Sequence, residues 1–415
     1  MRRVSRGRSP EARPSERERV LSYVKAMGDG AVLVIDCHNL RAGGGITHIT
    51  SLLRNAGLAR GFAVIHVLAG RYLSGRLRGL AAKVRVHHEP LLDGRLAART
   101  WWRMVILPRR LVQLGADVAF CPTGLVPPHW PRRTRVVVMC RNMLPFDDRE
   151  RARYGVSGRR LRLEILRVSQ LRAFERADGV IFLSQHAERS IVAQARIPPR
   201  RRTIIPHGVG EAFGQSSAIE VQQDLVVYVS TIDLYKHQWN VVEAIATLRK
   251  KGRDVRLQLI GPSYPPAMRR LERAIARFRA DAFVEVAGPR EYLSLPAAMA
   301  QAHVLVFAST CENCPNTLLE CMACGRPVAC SSSPPMPEFA ESTVTYFDAE
   351  DPVSIASALG ILLDTKAATG GGEGEASSRA AKFTWRRCAE QTFEYLLSVG
   401  REREDASLPS ALVTR

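Results

Sequence analysis

From residue 31 onward, short apolar runs alternate with stretches in which apolar residues recur every three or four positions. The runs at 31–36, 62–67, 117–120, 135–139 and 179–183 carry apolar residues at successive positions, as strands buried on both faces do. Between them, Ile46, Ile49, Leu52 and Leu53 mark one helical face, and helices are expected over 97–114 and 158–177. Residues 206–223 lose periodicity, gain Gly and Gln, and read as a linker. A second alternation follows, with strands at 225–229, 255–260, 283–286, 304–307 and 327–329 and helices at 236–251, 266–280, 292–301 and 316–324. The segment 371–378 reads as a loop and 380–398 as a final helix. This pattern predicts an α/β chain of two doubly wound, Rossmann-like domains facing across a cleft. Chemistry belongs at the carboxyl ends of the strands, at that cleft. The expected organisation is a disordered basic tail (1–28), an N-terminal domain (29–205), the linker (206–223), a C-terminal domain (224–380), a closing helix (381–398) and a tail (399–415).

Composition narrows the class. With 415 residues, 46% of them hydrophobic and 24% charged, the chain has ample core, which excludes a wholly disordered chain or a disulfide-stapled miniprotein. No run approaches the ~18 apolar residues of a membrane helix, and the N-terminus lacks the apolar core of a secretory signal. Nine cysteines, an odd number, suit a reducing cytoplasm. The net charge of +20 is unevenly placed: residues 1–210 hold 39 Lys and Arg against 15 Asp and Glu, a net +24, and the remainder is −4. Nucleic acid, an anionic membrane surface or an acidic ligand would explain a basic half, as would an arginine-rich proteome.

The densest stretch of chemistry is Ser309-Thr-Cys-Glu312-Asn-Cys-Pro-Asn316-Thr317-Leu318-Leu-Glu320-Cys-Met-Ala-Cys-Gly325-Arg-Pro327. It follows a strand, and Pro315 suits the first turn of a helix. The amides of Asn316, Thr317 and Leu318 then open a helix N-terminus, where an anion is favoured. Glu312 in the preceding loop and Glu320 about one turn in can face one ligand from different heights.

This stretch resembles the Glu-x7-Glu signature of retaining glycosyltransferases of family 4, which have the GT-B fold. Other segments fall where that family has its own: the loop Gly43-Gly44-Gly45, the interdomain link Ile204-Ile-Pro-His-Gly-Val, the strand and lysine of Val227-Tyr-Val-Ser-Thr-Ile-Asp-Leu-Tyr-Lys236, and Leu259-Ile-Gly261-Pro. The resemblance implies that Glu312 sits beside the donor sugar, that Glu320 hydrogen-bonds the nucleotide ribose, and that Lys236 and the 316–318 amides hold the diphosphate. Gly261 and Arg290 would also line the donor site, and Gly43, Gly44 and Gly45 an acceptor or phosphate loop. Charge aimed at a departing nucleoside diphosphate stabilises the transition state.

Two positions depart from the family. Thr231 stands where an arginine is usual, and Arg141-Asn142 stands where a histidine near the sugar is usual. Arg141 is therefore expected to supply positive charge and Asn142 to hydrogen-bond sugar or acceptor; the competing reading makes Asn142 the cap of a turn before Pro145.

The pairs Cys311/Cys314 and Cys321/Cys324 lie too close together for a zinc ribbon and read better as small buried hydrophobes. Gly43-Gly44-Gly45 lacks the Gly-x-Gly-x-x-Gly spacing of a dinucleotide loop, and there is no Asp-x-Asp. Trp101 and Trp102, among arginines, form either an ordinary core helix or a membrane-inserting face.

The expectation is a cytoplasmic glycosyltransferase, peripheral on the inner face of the cell membrane. It would pass a hexose-type sugar, with retention, from a nucleotide-diphosphate sugar to a glycan or glycolipid acceptor in cell-surface polysaccharide synthesis. No metal or other cofactor and no nucleic acid are expected; the partners are the nucleotide sugar, the acceptor and, reversibly, an anionic membrane surface. The alternatives are a non-enzymatic basic binding protein and a nucleotide-sugar epimerase of the same fold.

Overall fold

The computed structural model describes residues 30–41, 43–215, 219–364 and 374–407. The expected tail over 1–28 and residues 408–415 lie outside the described residues. Among them, seven strands form the first sheet: β1 (Ala31–Asp36), β2 (Phe62–Ala69), β3 (Val84–His88), β4 (Val118–Cys121), β5 (Arg135–Met139), β6 (Gly179–Phe182) and β7 (Arg202–Ile204), in the order β3-β2-β1-β4-β5-β6-β7. Six more form the second: β8 (Leu225–Val229), β9 (Arg256–Ile260), β10 (Val284–Gly288), β11 (Val304–Phe307), β12 (Val328–Ser331) and β13 (Thr345–Phe347), in the order β10-β9-β8-β11-β12-β13. Every pairing is parallel. Each order reverses beside its first strand, between β1 and β4 and between β8 and β11. These are the switch points where an open parallel sheet offers a crevice.

Helices cover both faces. The ones that matter below are α1 (Gly44–Arg54), α2 (Leu96–Trp101, continued by a π-helical turn Trp102–Ile106 into Leu107–Gln113), α3 (Gly158–Arg176), α4 (Gln185–Val192), α5 (Gln238–Lys250), α6 (Asn316–Ala323), α7 (Pro352–Leu363) and α8 (Trp385–Ser407). Their buried stripes and the sheets give the first domain two cores, one per sheet face, and the second domain one continuous core.

Four expectations change. The closing helix does not end at 398 but runs on to Ser407, because Arg401-Glu-Arg-Glu404 keeps good helix formers in line. It also returns to the first domain, where Cys388, Ala389, Phe393, Leu396 and Val399 join the core beneath β1. Residues Glu375–Ala380 are helical rather than loop, while 371–373 lie outside the described residues. The linker is not wholly loose: Phe213, in the short turn Glu211–Gln215, is buried in the second core.

The chain crosses between domains twice, at 205–210 and 382–386. Gly208 lets the two crossings touch, since a Cβ there would lie 2.1 Å from Trp385 N. The Val209 amide donates to the Phe383 carbonyl at 2.9 Å.

Candidate functional site

Four loops leave the carboxyl ends of strands and meet between the sheets. The β1 loop carries the three glycines. Gly43, with φ +66°, caps the start of α1 and its carbonyl accepts from the Ile46 amide. A Cβ on Gly44 would lie 3.4 Å from Asn316 Nδ2 of the other domain. A Cβ on Gly45 would lie 2.6 Å from Arg141 Nη1, so the absence of a side chain there is what admits the guanidinium.

Arg141 follows β5. Its Nε is buried with no hydrogen-bond partner, and no carboxylate pairs with the group among the described residues. Burial pulls its pKa down to about 10. Beside it are His48 of α1 and His207 of the first crossing, their rings stacked at 4.6 Å and flanked by Trp385 of the second crossing. Burial, then the neighbouring charges, hold His48 well below its ordinary value and push His207 down to about 3, so both rings are neutral. Both His48 ring nitrogens and His207 Nε2 are buried without partners. His207 Nδ1 lies 3.3 Å from Asn316 Oδ1, tying the crossing to the start of α6.

Across the cleft, the loop after β8 presents Lys236. Its backbone is fixed on both sides: the Lys236 amide donates to the Asp233 carbonyl at 3.0 Å, and Tyr228 OH donates to the Lys236 carbonyl at 2.9 Å. The ammonium is ion-paired with Glu312 and lies 5.1 and 5.0 Å from the ring centres of Tyr235 and Phe307. Asp233 is buried and held by the other domain, accepting from Tyr154 OH at 2.8 Å and from Arg159 at 2.6 Å. Thr310 Oγ1 donates to Glu150 at 2.8 Å, and Asn313 Nδ2 to the Cys140 carbonyl at 2.8 Å, so both domains grip the loop that carries Glu312. Gly261, with φ +148°, ends β9, and its Cβ would come 2.2 Å from the Ser230 carbonyl oxygen. Only glycine lets the β8 and β9 loops approach this closely.

Helix α6 starts at Asn316 with Pro315 as its cap, one position earlier than the first-turn place expected. The Asn316 amide does not point outward, because it donates to the Cys314 carbonyl at 2.9 Å. The free amides at this N-terminus are those of Thr317 and Leu318, which have no acceptor among the described residues. Glu320, deeper in the helix, accepts from Tyr292 OH at 2.7 Å, and burial pushes its pKa up to about 7 against the pull of that hydrogen bond. The two carboxylates therefore do not share one partner: Glu312 holds Lys236 and Glu320 holds Tyr292.

Two expected residues are exposed. Asn142 is exposed and its Oδ1 accepts from the Leu144 amide at 3.1 Å, the geometry of the turn cap before Pro145. Arg290 is exposed just beyond β10. The cysteine pairs do not converge on a metal geometry: all nine cysteines are free thiols, and no group of three or more His, Cys, Asp or Glu is placed to hold a metal ion among the described residues. The structure adds contacts of His48, His207, Asp233 and Tyr292 to those expected, His207 from within the interdomain link and Tyr292 from beside Arg290. His48 lay one helical turn after Gly45, so spacing could have flagged it.

This arrangement gives a cleft with cations on both walls, a free helix N-terminus and a buried carboxyl group, matched in the positions of its motifs by two family models. "Glycosyltransferase Family 4" matches residues 42–212 and "Glycosyl transferases group 1" matches residues 223–365, one domain each and together most of the chain. The chain belongs to the family 4, group 1 glycosyltransferases. Solved structures agree on the fold. A glycosyltransferase from Rickettsia africae ESF-5 is 12% identical with a TM-score of 0.67, covering 90% of this chain and 99% of that one. Sucrose-phosphate synthase from Thermosynechococcus elongatus is 17% identical with a TM-score of 0.67, over 91% and 100%. Anabaena HepE in complex with UDP and glucose is 16% identical with a TM-score of 0.62, over 88% and 99%. No curated protein matches the sequence. The glycosyltransferase thus has the GT-B architecture, with the candidate site between the two domains.

Proposed function

We propose that the enzyme transfers a hexose-type sugar, with retention, from a nucleotide-diphosphate sugar to a glycan or glycolipid acceptor of cell-surface polysaccharide synthesis. The observation that carries this reading is Arg141, half-buried at the interdomain cleft, its Nε wholly buried without a hydrogen-bond partner and its guanidinium paired with no carboxylate among the described residues. A buried, unpaired charge is costly unless a ligand completes it, and an anion on the glycine loop would do so.

The ribose takes the Glu320 carboxylate as Tyr292 yields it. The diphosphate lies between Lys236 and Arg141, with the Thr317 and Leu318 amides on its other side. As the glycosidic bond breaks, negative charge gathers on the leaving phosphate, and these preset donors stabilise it without rearranging. The acceptor hydroxyl attacks the anomeric carbon from the face the phosphate is leaving, and its proton passes to the departing phosphate oxygen. Arg141 takes the part of the arginine that Thr231 replaces. With two cations supplied by the chain, transfer proceeds without a metal ion.

HepE, solved with UDP and glucose, supports a nucleotide-sugar donor, and a structure of WaaG described as involved in lipopolysaccharide biosynthesis supports a surface-glycan acceptor. The +24 half supports reversible attachment to the anionic inner face of the cell membrane, where such an acceptor is met. No helix of the described residues is long and apolar enough to cross a membrane.

Thermal unfolding with UDP, GDP, ADP and their sugars tests the donor assignment. A ligand at 100 times its Kd adds about 2.7 kcal/mol. One nucleotide base should stabilise the parent and lose most of that effect in Arg141→Ala. If no nucleotide stabilises the parent, the donor assignment fails.

A further inference from the structure

Helix α3 is apolar on two opposite faces. Leu163, Ala173 and Phe174 are buried against the sheet. Leu161, Ile165 and Val168, at spacings of four and three, form a second stripe on the opposite side and are 62%, 60% and 41% exposed. A helix on the edge of a domain needs only one such stripe. On α2, Trp101 and Met104 are also exposed, at 59% and 38%, whereas Trp102 is fully buried and donates weakly to Glu89. The expectation that Trp102 inserts into a membrane is thereby corrected: the π-helical turn sends it into the core and leaves Trp101 outside.

The start of α2 and the start of α3 both lie near the β1 loop. Arg99 of α2 donates to Asn39 Oδ1 of the β1 loop at 2.9 Å, and burial, then the nearby charges of Arg41 of that loop and Arg162 of α3, lower its pKa. Arg41, Arg162 and Arg172 have no acidic partner among the described residues. An apolar stripe rimmed by unpaired arginines suits a surface that is greasy below and anionic above.

We propose that the outer faces of α2 and α3 dock this enzyme on an anionic lipid bilayer, Trp101, Leu161, Ile165 and Val168 entering the headgroup boundary and Arg41, Arg162 and Arg172 meeting lipid phosphates. The proposal deepens the membrane attachment put forward above by naming its face. A second copy of the chain fits less well, because a symmetric contact would set two arginine rims against each other. The segment 1–28 is itself basic and has the wrong charge to cover the patch. Because Arg41 leads directly into the glycine loop, docking here turns the acceptor side of the cleft toward the bilayer plane.

Co-sedimentation of the full chain with vesicles tests this, using phosphatidylcholine alone or with about 30% phosphatidylglycerol to supply the anionic surface. Binding should require the anionic lipid and fall when salt rises from 0.1 to 1 M, as the screening length shrinks from ~10 to ~3 Å. The triple variant Leu161→Ser/Ile165→Ser/Val168→Ser should bind on the order of tenfold more weakly, with parental thermal unfolding and donor hydrolysis. Val353→Ser/Ile361→Ser, which removes equally exposed apolar groups from α7 of the other domain, should bind as the parent does. A parent that ignores anionic vesicles overturns both the face and the membrane attachment. A parent that binds while the triple variant binds equally well overturns the face alone. A dimer of the parent that the triple variant dissolves also overturns it, in favour of a second copy.

Discussion

Glu320 keeps its carboxyl under Tyr292, and burial has raised its pKa from 4.5 to about 7. A raised carboxyl pKa means that the folded chain holds the proton more tightly than the unfolded one. Its contribution to stability is full below pH 4.5 and is lost as pH rises through 7; it is on the order of 3 kcal/mol. The difference in unfolding free energy between the parent and Glu320→Gln should therefore shift across pH 4.5–7, the parent losing ground as pH rises, as urea titrations at a series of pH values would read. In the proposed function the same residue governs donor affinity. Glu320→Ala should weaken nucleotide binding by roughly 1.5–3 kcal/mol, the value of a hydrogen bond to a charged group, and unchanged affinity in calorimetry would count against its ribose role. Tyr292→Phe should act in the opposite direction and tighten the nucleotide, because it removes the hydroxyl that competes for the carboxylate in the empty state.

At the scale of elements, two glycines separate site chemistry from fold. At Gly45 the atoms a methyl would meet first are side-chain ends, those of Arg141 and Leu40, so Gly45→Ala should cost little stability while cutting donor turnover. At Gly261 a methyl meets the Ser230 carbonyl in a left-handed backbone, and Gly261→Ala should cost roughly 3 kcal/mol or more of stability. The central strands were legible because β1, β4, β5, β6, β8 and β11 are continuous apolar runs. Two edge strands of the first sheet were not: β3 reads Val-Arg-Val-His-His and β7 reads Arg-Thr-Ile, polar enough to pass for loop. Helix α7 was missed for the converse reason, since Pro352–Leu363 is apolar nearly all round and shows no period. The site was legible wherever a motif fixed a residue next to a strand end, as at Lys236, Glu312 and Gly45. What stayed hidden were contacts between segments distant in sequence, such as Tyr292 on Glu320 and Tyr154 on Asp233.

For the whole molecule, the candidate site lies where the two domains meet. The first domain supplies Arg141 and the glycine loop, the second supplies Lys236, Glu312 and α6, and the closing helix ties both together by returning from one to the other. On the proposal that Lys236 and Arg141 neutralise the diphosphate, turnover should be unchanged by chelation with EDTA; activity abolished by EDTA and restored by a divalent ion would show that they do not suffice. The measurement that tests the central claim most directly is release of nucleoside diphosphate from a panel of nucleotide sugars by the parent and by Lys236→Ala. The parent should slowly hydrolyse sugars of one base, with kcat/KM in the variant lower by about 10²-fold or more and partly restored by adding Thr231→Arg. Release from no donor, or full release by Lys236→Ala, would contradict the account.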